Sequence, residues 1–417
     1  MSVDPKLANR FKTAWNNLSP AEQSRIQPHM DRAYGQLKTF LQQRRVPYDP
    51  RVRRELLLAQ CVVTNDQERT FAAVDALAAQ QSVNISAGVH VDSGGNIWGA
   101  GKFQELDPGW FEAGVIWIEN LVLKRPNPFG TAIPKPIPIP DTATIVLAGD
   151  FGTGDWGGTT PAASTKIRKL IPPFNPHVTI HLGDVYYAGT NSSELGNLVS
   201  LWPAGSVGAL TLNSNHEMYP GAVPYFQEAL TSPVFSIQQQ RSFFALENAN
   251  WIIVGLDSAY FSDPDGLYMD GTLDSQIQLP FLASMAKTWK KIVILTHHNG
   301  LSEDGGTQQP LWTQVMSVFP AGTAPQVWYW GHVHAGVIYN SPAGVSTLCR
   351  CIGHGALPYG NASILANNGR VLWFEKNTAN DPNDPQRVLN GFAVLQFTGQ
   401  TLKETWYDEN GHQAWPE

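Results

Sequence analysis

The stretch VWYWGHVH at residues 327–334 places His332 and His334 directly after a run of four apolar residues. In an extended strand, side chains two residues apart point to the same side, so both imidazoles would face one site. Gly331 leaves room for another group to approach the backbone closely. Two converging imidazoles suit a metal site, although histidines that pack or lie on the surface show the same short pattern.

Apolar runs of strand length alternate with helical patterns through the last two thirds of the chain. Strands are predicted at 144–147, 178–182, 209–212, 251–256, 291–295 and 327–330, and helices at 162–170, 273–289 and 310–319. Many runs are continuously apolar, which is typical of a sheet buried on both faces. Further strand-like sequence extends from residue 344 to 405. The pattern predicts a layered α/β domain.

The beginning of the chain has a different pattern, which predicts a mainly helical region with a short hairpin. Ser19-Pro20-Ala21-Glu22 combines an N-cap, an N1 proline and a capping-box glutamate, helical patterns continue to about residue 81, and Gly94-Gly95 centres the hairpin. Six prolines between residues 126 and 140 favour an extended connector. We predict a helical region at 1–125, a proline-rich linker at 126–141 and the α/β domain at 142–417.

The amino-acid composition limits both the class of protein and the kinds of partner that it is expected to bind. The 417-residue chain has 42% hydrophobic residues and a formal net charge of −7, so it is globular and lacks the basic excess that binds nucleic acid. No long apolar run and no secretory signal is evident, which predicts a cytoplasmic protein without a membrane partner. Three cysteines are too few for a disulfide framework. The oligomeric state is not indicated.

Polar residues follow five of the predicted strands. They lie in the sequences GDFG at 149–152, GDVYY at 183–187, NHE at 215–217, THH at 296–298 and GHVH at 331–334. Open α/β sheets build their sites at such strand ends. Carboxylates, an amide oxygen and several imidazoles suit transition metals rather than calcium, and one carboxylate can bridge two ions.

This ordered set of motifs resembles the calcineurin-like metallophosphoesterase superfamily, and its GDxG and GDxxY forms are most similar to the purple acid phosphatase branch. The resemblance covers about residues 142 to 355. It implies a four-layer α/β/β/α sandwich that holds two metal ions at the strand ends. The chain departs from the family pattern at Ser214, where relatives usually have glycine.

The resemblance also implies a ligand for each metal position. The first metal would take Asp150, Asp184, Tyr187 and His334, and the second would share Asp184 and add Asn215, His297 and His332. A Tyr187 phenolate would favour ferric iron, with iron, zinc or manganese as its partner. Tyr186 adjoins Tyr187 and is the alternative ligand, but the GDxxY spacing selects Tyr187.

The implied activity is metal-dependent hydrolysis of small phosphate esters by a metal-bridging hydroxide. Phosphomonoesters are the favoured substrates, with phosphodiesters or nucleotides as the alternative and a non-catalytic scaffold as a third hypothesis. His216 would donate a proton to the leaving group and Glu217 would orient it. His298 would either contact the substrate phosphate or only pack.

Four other residues carry weaker signals. His354, between two glycines, and Asp257, at a strand end, match no ligand motif, and a structural role is the simpler hypothesis for both. Asp155 and Trp156 follow the first motif and would either contact substrate or only shape the loop.

Overall fold

The computed structural model describes residues 5–28, 89–91, 97–99, 103, 110–124, 126–155, 161–357, 365–381 and 387–416. The helical patterns predicted between residues 29 and 81, and the loop residue Trp156, lie outside these ranges. Among the described residues, no helix is both long and apolar enough to cross a membrane.

The strands are β1 (Val89–Val91), β2 (Ile97–Gly99), β3 (Ile137–Pro138), β4 (Thr144–Ala148), β5 (Val178–His181), β6 (Gly208–Thr211), β7 (Phe244–Glu247), β8 (Trp251–Leu256), β9 (Lys291–Thr296), β10 (Val327–Trp330), β11 (Gly336–Tyr339), β12 (Leu348–Ile352), β13 (Val371–Phe374), β14 (Gly391–Thr398), β15 (Thr401–Asp408) and β16 (Gln413–Trp415). Strands β1 and β2 pair antiparallel, which confirms the predicted hairpin.

The helices are α1 (Pro5–Asn17), α2 (20–28), α3 (Trp110–Leu123), α4 (Ala163–Leu170), α5 (Asn191–Ser193), α6 (Asn215–Met218), α7 (Gln278–Ala286) and α8 (Pro310–Met316). Turns of 3-10 helix lie at Pro172–Phe174 and Pro233–Gln238, and turns of π-helix lie at Glu194–Val199 and Tyr225–Ala229. The capping box before α2 is formed, since the Glu22 carboxylate accepts from the Ser19 backbone N–H at 2.8 Å.

Two large sheets carry the remaining strands. One has the order β16-β15-β14-β4-β5-β6, and the other has the order β13-β11-β12-β10-β9-β8-β7-β3. Strands β4, β5 and β6 run parallel, as do β8, β9, β10 and β12. The carboxyl ends of β4, β5 and β6 in one sheet and of β9 and β10 in the other are therefore available to build a common site.

The two sheets pack face to face, and helices cover their outer faces. Leu147 and Ile180 of the first sheet share a buried cluster with Ile253 and Leu295 of the second. Helices α1, α3 and α4 contribute to the cluster on the outer side of the first sheet, and α7 and α8 to that of the second. These layers confirm the predicted four-layer α/β/β/α sandwich.

Two elements differ from the sequence prediction. Helix α7 begins at Gln278, later than the predicted residue 273, because the Asp274 carboxylate accepts from the backbone N–H groups of Gln276 and Gln278 in a local turn. Within the proline-rich linker, β3 adds a two-residue parallel edge strand beside β7. An edge is the place in a sheet that tolerates proline.

Helix α3 packs into the same buried cluster as the α/β elements. The Trp117 side chain is fully buried, and its indole N–H donates to the backbone carbonyl of Pro264 at 2.8 Å. Asn120 donates to the carbonyl of Met218 at 3.4 Å. The division into 1–125, 126–141 and 142–417 stays a prediction, but residues 110–123 share a hydrophobic core with the domain that follows.

We expect Trp117→Ala to lower the free energy of unfolding by about 3–5 kcal/mol, because it removes a large buried side chain and leaves a cavity. Trp289→Ala is the matched control, since Trp289 is 76% exposed, and should change stability by less than about 0.5 kcal/mol. Urea denaturation of both variants measures the difference. Equal, small losses would contradict the packing of α3 into the shared core.

Candidate metal centre

The ends of five strands meet at the edge where the two sheets pack together. The backbone N–H of His332 donates to a carboxylate oxygen of Asp150 at 2.9 Å, which joins the end of β10 to the end of β4. A Cβ atom on Gly331 would lie 2.6 Å from that same oxygen. Glycine is therefore required at residue 331 by the close approach, as the sequence predicted.

A first group of ligand atoms is formed by Asp150, Asp184, Tyr186 and His334. The Tyr186 Oη lies 3.1 Å from Asp150 Oδ1, 2.9 Å from Asp184 Oδ2 and 2.8 Å from His334 Nε2. His334 Nε2 lies 3.1 Å from Asp150 Oδ1 and 3.5 Å from Asp184 Oδ2. All four side chains are buried, so the group is a compact set of oxygen and nitrogen donors.

In the structure, the side chain of Tyr186 points at these carboxylates, and the side chain of the predicted ligand Tyr187 does not. Val185 forms a parallel bridge with Gly152, and the residues on either side of it meet, since the Tyr186 hydroxyl lies 2.9 Å from Asp184 Oδ2. The Tyr187 ring instead lies 4.6 Å from the Phe103 ring. The motif spacing alone does not report the backbone direction in this loop, where Asp184 has a φ of 77°, and the prediction therefore selected the neighbouring tyrosine.

A second group is formed by Asn215, His297 and His332, again with Asp184. His297 Nε2 lies 3.0 Å from Asn215 Oδ1 and 3.1 Å from His332 Nδ1. It also lies 3.3 Å from Asp184 Oδ1. Asp184 thus presents one oxygen to each group, as a carboxylate that bridges two ions would.

The protonation pattern of the second group indicates that it suits a cation. His297 Nδ1 lies 2.9 Å from the carbonyl of Leu182, which can only accept, so that nitrogen carries the proton and Nε2 of the neutral ring has a lone pair. The amide nitrogen of Asn215 donates to Tyr219 Oη at 3.0 Å, which turns its oxygen toward His297. The lone pairs of His297 Nε2 and Asn215 Oδ1 therefore face and repel one another. A metal ion bound between these atoms would remove that repulsion.

The electrostatics of the buried carboxylates support the same interpretation. Burial, with the neighbouring Asp184, raises the pKa of Asp150 well above its ordinary value. Burial also acts to raise the pKa of Asp184, but imidazoles led by His297 and His216 outweigh it and hold that pKa well below the usual range. Burial lowers the pKa of His297 and of His332, which keeps both rings neutral and able to bind metal.

Four of these residues have the left-handed backbone conformation that favours glycine. The φ angles are 59° for Asp150, 77° for Asp184, 68° for His332 and 56° for His334. Each such residue costs of order 1–3 kcal/mol and persists only where the surroundings enforce it. This strain is concentrated at the strand ends. It indicates that these loops keep unfavourable backbone conformations because their side chains must be held at particular positions.

His216 lies at the edge of the cluster, but Glu217 does not orient it as predicted. His216 Nδ1 donates to the backbone carbonyl of Tyr187 at 2.6 Å, and its Nε2 lies 3.9 Å from Asp184 Oδ2. Glu217 instead contacts the Ser214 hydroxyl, which also contacts Asp184. Neighbouring residues on the short helix α6 point in different directions, so one cannot orient the other.

Glu217 is a buried acid with an unusual environment. Burial, with the nearby Asp184, raises the pKa of Glu217 to about 8. Its contact with Ser214 is a connection that sequence reasoning missed, since Ser214 was noted only as a departure from glycine. The hydroxyl links Glu217 to the shared carboxylate of Asp184.

His298 is buried, and both of its ring nitrogens contact protein atoms. Nδ1 lies 2.9 Å from the Ser258 hydroxyl, and Nε2 lies 2.7 Å from the backbone carbonyl of Tyr268. Its ring also lies 4.7 Å from that of His332. Of the two alternatives for His298, the structure favours packing behind a ligand over contact with substrate.

The residues with weaker signals lie outside the ligand groups. Asp257 accepts from Asn213 and from the backbone N–H groups of Ala259 and Tyr260, so its role is structural, as expected. His354 is buried and stacked on Trp406. Asp155 is exposed in the loop after the first motif.

Comparison with known families identifies this part of the chain. The family model for Calcineurin-like phosphoesterase matches residues 143–336. The match confirms the predicted resemblance to this superfamily over these residues, and it supports a phosphoesterase hydrolase with a candidate dinuclear metal site. No curated protein sequence matches the chain.

Solved structures resemble this chain at low sequence identity. A purple acid phosphatase from yellow lupin has 16% identity and a TM-score of 0.47, and the match covers 66% of this chain and 54% of that one. GAP50, the anchor in the inner membrane complex of Plasmodium, has 10% identity, a TM-score of 0.46 and coverages of 66% and 87%. A dimetal phosphatase from Danio rerio has 14% identity, a TM-score of 0.40 and coverages of 64% and 96%.

We expect Zn²⁺ or Mn²⁺ to stabilise the metal-depleted phosphoesterase domain, because binding to the folded state alone shifts the unfolding equilibrium. At free metal 100-fold above the dissociation constant, each site adds about 2.7 kcal/mol. His297→Ala should lose much of this increment, whereas His412→Ala, at a side chain that is 79% exposed, should keep it. Thermal unfolding with and without metal measures the increments, and equal increments in both variants would refute the ligand assignment.

Proposed function

We propose that the chain hydrolyses phosphate monoesters at a dinuclear metal site. The observation that carries the proposal is the position of the Asp184 carboxylate, with one oxygen 3.3 Å from His297 and the other 3.5 Å from His334. One buried carboxylate shared by two sets of nitrogen and oxygen donors is the arrangement that two-metal hydrolases use.

The proposed ligand sets follow the two groups of side chains. Asp150, Asp184, Tyr186 and His334 would hold the first ion, and Asp184, Asn215, His297 and His332 would hold the second. His298 also lies within reach of His297 and His332, but both of its ring nitrogens already contact Ser258 and Tyr268, so it is left out of the proposed ligands. The phenol between two carboxylates favours iron at the first position, with iron, zinc or manganese at the second. Two bound cations would lower the pKa of a water between them and offset charge on the phosphoryl oxygens.

His216 is the proposed proton donor to the leaving group. The bond from Nδ1 to the Tyr187 carbonyl fixes the ring, and Nε2 then points toward the cluster at 3.9 Å from Asp184. A proton on Nε2 would be transferred to the leaving oxygen as the bond to phosphorus breaks. Because the side chain is only 8% exposed, it would act on substrate inside the site and not on bulk water.

The enclosure of the site supports monoesters over diesters. The ligands Asn215, His332 and His334 are at most 6% exposed. Phe103, Trp110 and Tyr187 pack together beside His216. A phosphodiester carries a second alcohol group, which a site with such buried ligands would also have to accommodate. Small phosphate esters are therefore the proposed substrates, and a nucleic-acid or membrane partner is not.

We expect metal-loaded protein to hydrolyse aryl phosphate monoesters faster than the matching diesters. His216→Ala should lower kcat by roughly 10²–10⁴-fold, the usual contribution of a general acid. Asn215→Ala should also lose most activity, since it removes a proposed ligand, whereas His412→Ala should not. Steady-state kinetics on both substrate classes measures these effects.

Each alternative has its own outcome in the same assay. Faster turnover of diesters would overturn the monoester proposal and favour phosphodiester or nucleotide hydrolysis. Undiminished activity in His216→Ala would refute its role as proton donor. Bound metal with no turnover of either class would favour a scaffold, although every proposed ligand position of the chain is filled.

A second prediction separates the two tyrosines. If iron is bound at the first position, a tyrosinate ligand produces a visible charge-transfer band. We expect Tyr186→Phe to lose that band and Tyr187→Phe to keep it, because only the Tyr186 Oη lies between the two carboxylates. Absorption spectra of the iron-loaded variants measure this. Loss of the band in Tyr187→Phe alone would restore the assignment made from motif spacing.

A further inference from the structure

The Ser214 side chain touches the carboxylate that both proposed metal positions share. Its hydroxyl contacts Asp184 Oδ1, the oxygen that lies 3.3 Å from His297 Nε2. The same hydroxyl contacts the carboxyl group of Glu217. Ser214, Asp184 and Glu217 are all completely buried. The hydroxyl therefore lies beside the second ligand group, shielded from bulk water.

The hydrogen-bonding capacity of this hydroxyl is fully used. A serine hydroxyl has one proton to donate and two lone pairs that accept. Asp184, as a proposed ligand, is a carboxylate and can only accept, so Ser214 donates to it. The backbone N–H of His216 donates to the Ser214 oxygen at 3.1 Å, and Glu217 fills the remaining lone pair as a second donor. The single proton of Ser214 is thus committed to Asp184.

The backbone around Ser214 keeps the hydroxyl at this place. Ser214 is the N-cap of helix α6, with an extended backbone at φ −136° and ψ 179°. A Cβ atom on Gly183 would lie 2.9 Å from Ser214 Cβ and 2.8 Å from His297 Nδ1. Ser214 and His297 therefore both pack against Gly183, the residue before the shared carboxylate, and this close approach requires glycine there.

We propose that Ser214 is a positioning residue, which fixes the rotation of the Asp184 carboxylate so that each of its oxygens faces one metal position. The terminal torsion of an aspartate is broad, so a hydrogen bond to one oxygen is needed to select one orientation. With Oδ1 held by Ser214, Oδ2 lies 2.9 Å from the Tyr186 Oη and 3.5 Å from His334 Nε2. Glu217 acts through Ser214, since it contacts the same hydroxyl.

This proposal rests on the proposed function and adds a residue to its metal centre. Residue 214 is the position where the chain departs from the glycine that relatives usually have. Glycine has no group that could donate to Asp184. In this chain the departure therefore supplies a hydrogen bond to the shared carboxylate, and removing it should affect metal binding directly.

Metal titration of variants at residue 214 tests the proposal. Groups that hydrogen-bond a ligating side chain typically contribute about 10–100-fold to metal affinity. Ser214→Gly and Ser214→Ala should therefore each weaken Zn²⁺ binding to the metal-depleted protein by about this factor. Ser214→Thr keeps the hydroxyl and should bind more tightly than Ser214→Ala. Ser236→Ala, at an exposed serine, is the matched control and should bind as wild type does. Calorimetric titration measures the affinities.

The comparison of glycine with alanine separates positioning from helix capping. At an N-cap, glycine is nearly as good as serine, whereas alanine is much worse. If Ser214 only capped helix α6, Ser214→Gly would bind Zn²⁺ as wild type does, and that result would overturn the proposal. Circular dichroism of the metal-depleted variants checks their folding. If Ser214→Ala does not fold, Ser214→Gly and Ser214→Thr carry the comparison.

A double variant tests whether Glu217 acts through Ser214. Glu217→Leu has a similar volume and no oxygen, and it should weaken Zn²⁺ binding in the wild-type background. In the Ser214→Gly background it should add no further loss, because the hydroxyl on which it acts is already absent. Losses that multiply in the double variant would overturn the part assigned to Glu217.

Steady-state hydrolysis of an aryl phosphate monoester distinguishes this proposal from the proposed function. If wild type binds two Zn²⁺ ions without turnover, and Ser214→Gly weakens that binding, the proposed function fails while the role of Ser214 stands. If wild type is active, and Ser214→Gly keeps both its Zn²⁺ affinity and its kcat, the role of Ser214 fails while the function stands.

Discussion

The carboxylate of Asp150 is held at the point where the two sheets meet, and the rest of the site depends on that contact. One oxygen accepts from the backbone N–H of His332, and the space beside it admits only a glycine at residue 331. The backbone N–H of Asp150 donates to the carbonyl of Gly183, and the Asp150 carbonyl accepts from the backbone N–H of Ala356. One residue therefore links the loops after β4, β5, β10 and β12, which sets the distances between ligands from both sheets.

This arrangement places charge and lone pairs where water cannot stabilise them. Asp150 and Asp184 are completely buried, and the ring nitrogen of His297 faces the oxygens of Asn215 and Asp184. Burying such groups without a partner costs several kcal/mol. A pair of cations would convert these repulsions into ligand bonds, so the same features that weaken the metal-free protein would provide its affinity for metal.

Helix α3 brings a segment from before the linker into contact with a proposed catalytic residue. Its buried Trp117 attaches it to the core, and its first residue, Trp110, contacts the ring of His216. A segment that the sequence pattern separates from the catalytic motifs thus packs against the proposed proton donor.

The sequence alone determined the sandwich and pointed to most of the candidate ligands, because each motif directly follows an apolar strand and parallel strands bring their carboxyl ends to one edge. Only the tertiary structure decided which tyrosine faces the carboxylates, since that depends on the backbone direction in the loop after β5, where Asp184 has a φ of 77°. It also decided that the Tyr187 carbonyl, and not Glu217, orients His216. These contacts, and the position of Trp110, depend on side-chain direction in turns and on packing between distant segments, which residue spacing does not encode.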